Sequence, residues 1–221
     1  METKTELKKA KAHTIYKMPD GQRIPGVTTV LGILNKPALV KWANNLGLQG
    51  IDSSKYRDEM ADIGTLAHQM IVDGFNKVTT DTSDYSQTQI DLAENCLLSF
   101  MEWEKGHKIE VIMAEKPLVS AEFNFGGTID CFCELDGQPT LLDFKTGKAI
   151  YPEMFYQLAA YEQLLGEAGY LIEVSRILRI GRDNDEGFEE RLVGDTTKHL
   201  ELFKHCLAIY NLQKEIKKGS E

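Results

Sequence analysis

The sequence lacks any run of about 18 apolar residues, the length that a membrane-spanning helix needs. Residues 1–17, METKTELKKAKAHTIYK, lack the continuous apolar segment of a secretory signal peptide. Only four cysteines occur in the 221 residues, too few and too scattered for a disulfide scaffold. These absences exclude a membrane-spanning helix and argue against a secreted, disulfide-stabilised protein. We therefore expect a reducing, cytoplasmic location.

Positive charge is also scarce. The chain has 25 Lys and Arg against 34 Asp and Glu, a formal net charge of −9, which argues against a nucleic-acid partner. The charge is unevenly distributed, because residues 1–50 carry +5 and the remainder carries −14. A basic segment beside an acidic body can mark a face that contacts a polyanion, and it can equally be a solvated tail. An acidic body also suits a protein that holds metal ions, so net charge alone does not decide.

The hydrophobic pattern predicts helices in the first half of the chain. Residues 13–26 indicate an irregular or hairpin-like start, with a turn at Pro19–Gln22. Four helices are then predicted: one capped by Thr28 or Thr29 and ending at Leu34, and others over Pro37 to Leu46, Ser53 to Phe75 and Asp84 to Lys105.

The period then changes to that of strands. Three strands are predicted at 109–119, 124–135 and 139–146, the last two joined by the turn DGQP at Asp136–Pro139. A helix (Pro152–Glu167), a strand (Leu171–Gly181), a short edge strand (Glu189–Val193) and a final helix (Thr196–Lys217) follow. This order predicts an α/β fold with a central mixed sheet flanked by helices. We expect one domain over residues 1–221, with a mainly helical portion (1–107) and an α/β core (108–221).

The segment 126–148, GGTIDCFCELDGQPTLLDFKTGK, places charges inside apolar strands. Alternate side chains share a strand face about 6.6 Å apart, so Asp143 and Lys145 point the same way. If the strands pair through the predicted turn, Asp130 and Asp143 meet near one end of the sheet. Facing carboxylates repel unless a cation lies between them, and Mg²⁺ accepts carboxylate and carbonyl oxygens.

Two acids and one lysine are the minimum set for metal-assisted attack on a phosphodiester. A salt-bridge ladder on a solvated sheet face is the alternative, and the apolar residues around these charges weaken it. Cys131 and Cys133 have no second pair at zinc spacing, so we predict that all four cysteines are core residues.

Taken together, these motifs resemble the PD-(D/E)XK nuclease superfamily. They are most similar to its RecB-type branch, which includes phage and bacterial exonucleases and the mitochondrial genome maintenance exonucleases. The resemblance covers residues 60–165 and rests on Asp130 in GGTID, on Asp143 and Lys145 in LLDFKTGK, on Gln157 and Tyr161 in QLAAY, on His68 in GTLAH and on Glu115 in MAEKPL. IPGVTTVLG and PALVKWA, within residues 24–43, fit more loosely.

The resemblance implies a restriction-endonuclease-like core and a role for each matched residue. Asp130, Asp143 and the backbone carbonyl of Phe144 would coordinate the metal. His68 would be an imidazole ligand or orient one, which favours Mn²⁺ as well as Mg²⁺. Lys145 would position the attacking water or stabilise charge on the phosphate. Glu115 would bind a second metal or act through water.

Four further residues would bind substrate under this resemblance: Thr65, Thr146, Gln157 and Tyr161. Structural alternatives stay open for several residues. His68 lies beside the apolar stripe of its helix and can be a core-edge residue. Tyr161 continues a stripe with Leu158 and Leu165, so its ring can simply pack. Glu115 precedes Lys116 and can lie on the surface.

The implied function is a Mg²⁺- or Mn²⁺-dependent exonuclease acting on linear or single-stranded DNA ends, in phage or bacterial DNA recombination, repair or processing. Its basic helices, with Trp42, Lys55 and Tyr56, would form one wall of the DNA passage, although Trp42 also suits the core. A recombinase or a single-strand-binding protein is a conceivable partner, and no membrane is expected. The alternatives are a structure-specific or restriction-type endonuclease and a non-catalytic nucleic-acid-binding module.

Two cofactors are not expected. Family members with an iron–sulfur cluster use three cysteines grouped near the C-terminus, and here only Cys206 lies beyond Cys133. The Gly-Lys that ends LLDFKTGK lacks the preceding residues of a phosphate-binding P-loop, so ATP hydrolysis is not expected.

Overall fold

A computed structural model describes residues 14–183 and 185–219. Four lysines of the basic N-terminal segment, Lys4, Lys8, Lys9 and Lys11, lie outside the described residues. Among the helices described, none combines the length and the apolar character that crossing a membrane would require.

The helices and strands follow the predicted order. The first half contains strands β1 (Tyr16–Lys17) and β2 (Arg23–Ile24) and helices α1 (Val27–Leu31), α2 (Pro37–Leu48), α3 (Ser53–Asn76) and α4 (Gln87–Glu104). The second half contains β3 (Ile109–Ser120), β4 (Phe125–Leu135), β5 (Gln138–Lys145), α5 (Pro152–Glu167), β6 (Val174–Ile180), β7 (Phe188–Val193) and α6 (Thr197–Lys218).

Some predicted boundaries are wrong. Helix α1 begins after Gly26, which forms no side-chain cap, and the predicted caps Thr28 and Thr29 lie within the helix. Gly26 is extended because it forms a parallel bridge with Gly126, and this tertiary contact sets where the helix can begin. The helix also ends at Leu31, before the predicted Leu34.

The sheet has the order β3-β4-β5-β6-β7. Strands β5 and β6 pair in parallel, and every other neighbouring pair is antiparallel. Helix α5 makes the crossover between the two parallel strands, as parallel pairing requires. The prediction of an α/β fold with a mixed sheet between helices is confirmed.

Two apolar clusters cover the two faces of the sheet. One joins α1, α5 and α6 to the strands through residues such as Val30, Leu158 and Phe203. The other joins α3 and α4 to the opposite face through residues such as Ile63 and Phe100. The helices of the N-terminal portion therefore share the core of the sheet. All four cysteines are buried in these clusters, as predicted.

Strand β4 changes its packing at Asp130. Strict alternation would place Ile129 and Cys131 on one face, yet Ile129 belongs to the cluster of α5 and Cys131 to the cluster of α3. Opposite Asp130 lies Glu115 on β3, because the flanking residues pair as Lys116 with Ile129 and Ala114 with Cys131. Glu115 has φ +47°, a left-handed backbone that is strained for a residue with a side chain.

Candidate metal centre

Strands β4 and β5 separate where the predicted acidic residues lie. Their antiparallel ladder ends at the pair Cys131–Leu142, after which β4 continues beside β3 alone and β5 continues beside β6 alone. This point is called the fork below. Asp130 and Asp143 are the next residues on each side of it. The predicted meeting of the two acids is therefore observed, but it occurs where the β4–β5 ladder ends inside the sheet and not at an end of the sheet.

The carboxylate of Asp130 bridges the fork. Its Oδ2 accepts a hydrogen bond of 2.9 Å from the backbone N–H of Phe144. Leu142 and Phe144 are buried in the cluster of α3 and α4, and this burial anchors β5. Leu142 and Phe144 thus hold the strand from one face while Asp143 and Lys145 occupy the other face, as the alternation predicts.

His68, Glu115 and Asp130 form a group that can hold a metal ion. One candidate ligand atom of each residue lies within 4.8 Å of the others. His68 Nδ1 is 3.6 Å from Glu115 Oε1 and 3.8 Å from Asp130 Oδ1. The imidazole ring packs edge-on against Phe144 at 5.9 Å between centroids. Helix α3, capped at its start by the carboxylate of Asp52, carries His68 to this position.

Asp143 lies beside this group and is paired with Lys145. Lys145 Nζ is 2.6 Å from Asp143 Oδ2, and the Asp143 side chain is 0 % exposed. Asp143 Oδ1 is also buried, and no hydrogen-bond partner for it exists among the described residues. A buried carboxylate oxygen without a partner is costly, and a coordinated cation would satisfy it. The residues present therefore fit a divalent metal.

The charges in this group shift one another's protonation. Burial raises the pKa of Asp130 from 3.8 to about 6, with Asp143 and Glu115 adding to the rise and His68 and Lys145 opposing it. Burial alone would lower the pKa of His68, but the charge of Asp130 and the hydrogen bond and charge of Glu115 outweigh it and raise that pKa. Perturbed carboxyl and imidazole groups in one place are typical of functional sites.

Lys145 remains a cation in this environment. Burial would lower its pKa, but the charges of Asp143 and Asp130 and the hydrogen bond to Asp143 outweigh that effect and raise the pKa. Lys145 is thus suited to stabilise negative charge, and it is poorly suited to accept a proton.

Gln157 and Tyr161 lie one turn apart on α5, and their side chains are joined. Gln157 Nε2 donates to the Tyr161 hydroxyl at 2.7 Å. The ring of Tyr161 is buried against Gly127, where a Cβ would come within 2.6 Å of it. Burial first, then the charges of Asp130 and Asp143, raise the pKa of Tyr161 well above its ordinary value. Tyr161 therefore packs, as one alternative predicts, and also holds a neutral hydroxyl near the two acids.

The two threonines predicted to bind substrate both bond within the protein. Thr65 Oγ1 donates to the carbonyl of Ala61 at 3.0 Å within α3. Thr146 Oγ1 accepts from Arg182 Nη2 at 3.1 Å. Thr146 also touches α3 closely, since a Cβ at Gly64 would come within 2.9 Å of its hydroxyl. Both substrate roles, and the role of the Phe144 carbonyl, stay predictions.

Two residues near the centre escape the sequence analysis. Arg182, two residues beyond the end of β6, donates hydrogen bonds to the Thr146 hydroxyl and to the carbonyl of Met60 on α3. Tyr16 on β1 reaches the centre from far away in the sequence, and its hydroxyl is 2.9 Å from Thr128 Oγ1. The signal for Tyr16 is the pair of glycines at the start of GGTID, because glycine inside a strand often marks close approach of another group.

No family model matches the sequence, and no curated protein matches it. Similar solved structures include the alkaline exonuclease LHK-Exo from Laribacter hongkongensis, with a TM-score of 0.43 and 11% identity over 73% of this chain and 88% of that chain. The same exonuclease in complex with dAMP gives a TM-score of 0.43 and 10% identity over 72% of this chain and 86% of that chain. The structure of SSO0001 gives a TM-score of 0.30 and 12% identity over 65% of this chain and 71% of that chain. TM-scores this low carry no argument about function, which depends on the site itself.

Proposed function

We propose that the protein is a divalent-metal-dependent deoxyribonuclease that hydrolyses phosphodiester bonds from DNA ends. The observation that supports this most strongly is the buried Asp143 carboxylate, which faces Asp130 across the fork and has one oxygen with no hydrogen-bond partner in the part of the chain that the structure describes. Burying two carboxylates beside each other without a cation would cost the metal-free protein stability. Such a cost is expected where function requires the charges. Digestion from ends rests on the resemblance to the exonuclease branch.

His68, Asp130 and Asp143 would hold Mg²⁺ or Mn²⁺, with Glu115 either completing that set or holding a second ion. Carboxylate oxygens suit both metals, and the imidazole extends the preference to Mn²⁺. When bound, the ion supplies Lewis-acid polarisation of the phosphate and activation of water at neutral pH. The two Asp side chains start in fixed positions, since one is hydrogen-bonded to the Phe144 amide and the other is paired with Lys145.

Lys145 and Tyr161 would act on the substrate directly, as hydrogen-bond donors. The ammonium of Lys145 stays charged and would donate to a phosphate oxygen as negative charge develops on it. The Tyr161 hydroxyl stays neutral and can donate without adding charge. Gln157 orients that hydroxyl through its 2.7 Å hydrogen bond.

The helices α2 and α3 would form one wall of the DNA passage. Helix α2 has no buried residue, although Leu39, Val40 and Leu48 are among its side chains. Trp42 is half-buried, so the alternative that it is a core residue is wrong. The rings of Trp42 on α2 and Tyr56 on α3 lie 6.0 Å apart and are tilted relative to each other. Half-buried aromatic rings beside Lys41 and Lys55 suit stacking on unpaired bases.

Digestion of end-labelled linear DNA and of closed circular DNA, with Mg²⁺, Mn²⁺ or a chelator, tests the proposal. We expect metal-dependent loss of the linear DNA only, and a loss of rate of at least about a hundredfold in Asp143→Asn and Lys145→Ala. Asp91→Asn and Lys105→Ala, on the exposed side of α4 and at its end, are matched controls that should retain full activity. Unchanged cleavage by both site variants would contradict the site.

Other outcomes would redirect the proposal. Cleavage of the closed circle would make the protein an endonuclease. Binding of DNA without cleavage in either metal would make it a non-catalytic binding module. The pathway in phage or bacterial DNA metabolism and the recombinase or single-strand-binding partner stay predictions from the resemblance.

A further inference from the structure

The N-terminal hairpin is attached beside the metal centre. Strands β1 and β2 form it, and the next residues join the start of β4, where the Gly126 N–H donates to the Pro25 carbonyl at 2.9 Å. The ring of Tyr16 lies directly over Gly126, and a Cβ there would be 2.4 Å from the ring. A second glycine, Gly26, also lies close to this ring, since a Cβ added at position 26 would be 2.9 Å from it. The position of the Tyr16 ring is therefore fixed by two close contacts with backbone.

The fixed position of the ring places the Tyr16 hydroxyl close to the carboxylates of Glu115 and Asp130. Tyr16 Oη is 2.9 Å from Thr128 Oγ1, and Thr128 precedes Asp130 by two residues on β4. Residues two apart on a strand lie about 6.6 Å from each other. Burial raises the pKa of Tyr16, the hydrogen bond with Thr128 opposes the rise, and the charges of Glu115 and Asp130 add to it. Tyr16 is thus a neutral, half-buried hydroxyl at the edge of a cluster of carboxylates.

Two hydroxyls bonded to each other have one proton left to donate. If Tyr16 donates to Thr128, the Thr128 proton is available, and in the reverse arrangement the Tyr16 proton is available. A packing role would need only the ring, so the hydroxyl pair is unused by the fold beyond its own bond. Neutral donors close to metal-holding acids can bind a phosphate oxygen without competing for the metal.

We propose that the Tyr16–Thr128 hydroxyl pair donates a hydrogen bond to the phosphate that adjoins the scissile one, and so sets the position of the DNA strand along the metal centre. This inference rests on the proposed nuclease function and names a substrate contact for it. The hairpin then forms the wall of the site opposite α5, with Tyr16 on one side of the carboxylates and Tyr161 on the other.

The test removes the hydroxyl and keeps the ring. Tyr16→Phe preserves the contacts with Gly126, and Thr128→Val preserves the shape of the threonine. Either change should raise KM for a short DNA about tenfold with kcat nearly unchanged, since one hydrogen bond to a charged group is lost. The double variant should be no worse than either single variant, because the pair acts as a unit. Tyr170→Phe, an exposed tyrosine packed on Phe132, is the matched control.

A second readout does not depend on cleavage. Fluorescence anisotropy of a labelled oligonucleotide with Ca²⁺ in place of Mg²⁺ should show the same tenfold weaker binding in Tyr16→Phe. Replacing the adjoining phosphate by an uncharged methylphosphonate should weaken binding to the wild type, with no further loss in Tyr16→Phe.

Equal DNA affinity of the wild type and Tyr16→Phe would overturn the inference. If the wild type still cleaved DNA in that case, the proposed function would stand. A changed melting temperature with unchanged KM and affinity would reduce the pair to a structural role. A wild type that neither binds nor cleaves DNA would overturn both.

Discussion

Removing the charge of Asp130 should stabilise the metal-free protein above neutral pH. The pKa of this buried carboxyl is raised from 3.8 to about 6. A group with a higher pKa in the folded state binds its proton more tightly there, so the folded state loses stability as pH rises from 3.8 through about 6. A rise of about two pKa units corresponds to roughly 3 kcal/mol at pH 8. Asp130→Asn removes that cost and keeps a side-chain oxygen to accept the Phe144 N–H.

His68 changes stability with pH in the same direction. Its pKa is raised in the folded state, so its contribution is present below the ordinary value of 6.5 and is lost as pH rises through the folded pKa. The metal-free wild type should therefore lose stability from about pH 4 to about pH 6 through Asp130, and further above pH 6.5 through His68. The total decrease should be smaller in Asp130→Asn.

Thermal unfolding followed by circular dichroism, in chelator and at several pH values, measures this effect. For a chain of this size a change of about 3 kcal/mol corresponds to roughly 6–12 °C in Tm. Mn²⁺ at about a hundred times its Kd should stabilise the wild type by about 2.7 kcal/mol. This gain should appear at pH 8, shrink at pH 5 where Asp130 is protonated, and be absent in Asp130→Asn.

The matched control is Asp136→Asn. Backbone bonding to Lys108, then the hydrogen bond from His107, lowers the pKa of Asp136, so its carboxylate favours the folded state at neutral pH. This control should gain no stability at pH 8. If Asp130→Asn were less stable than the wild type in chelator at pH 8, the carboxylate would be a structural group, and the reasoning about a metal-holding site would fail.

Three other substitutions separate fold from chemistry. Glu115→Gly relieves a left-handed backbone that costs a non-glycine residue about 1 kcal/mol, so Tm should hold or rise while metal-dependent cleavage falls at least tenfold. Lys145→Gln leaves Asp143 buried and unpaired and should cost about 3–5 kcal/mol by denaturant unfolding, whereas adding Asp143→Asn should restore most stability but no activity. Gly127→Ala would force a Cβ within 2.6 Å of the Tyr161 ring and should lower stability by about 1–3 kcal/mol.

Each of these has a control or a contradicting result. Asn124→Gly, at a second left-handed position outside the centre, should gain stability and keep full activity. Gly166→Ala on α5 meets no atom within contact range and should be harmless or stabilising. Full activity in Glu115→Gly would show that Glu115 has no role in the metal centre. If the double variant Lys145→Gln/Asp143→Asn were as unstable as Lys145→Gln, Asp143 would not be the charge that the loss of Lys145 leaves unpaired.

The sequence predicts those features of the site that depend on the helical or strand periodicity of a single segment. The helical spacing of α3 and the alternation along β5 place His68 on a core-edge face and put Asp143 beside Lys145 on one side of the strand. The turn is shorter than predicted, since Gln138 and Pro139 already pair with β4 and only Asp136 and Gly137 connect the two strands. So short a connection leaves few ways to pair β4 with β5, and the meeting of Asp130 and Asp143 follows from strand register.

The remainder depends on contacts between distant segments, which leave little local signature. Tyr16 meets Thr128 across more than a hundred residues, and the glycine pair of GGTID indicates a close approach at this point of β4 without indicating which residue makes it. The start of α1 is set by the bridge between Gly26 and Gly126, although capping preferences favour the threonines that follow. The left-handed backbone of Glu115 likewise has no signal in the residues around it.

The hydrogen bond from the Phe144 amide to Asp130 affects how this site tolerates sequence change. The donor is a backbone group, and any residue other than proline at position 144 would supply it. Substitutions in the surrounding core can therefore accumulate without rotating the carboxylate, as long as β5 keeps its place beside β6. Large apolar side chains at position 144 should thus preserve activity, because they keep the burial that anchors β5, whereas no replacement of Asp130 should, and a saturation library at the two positions should show that asymmetry.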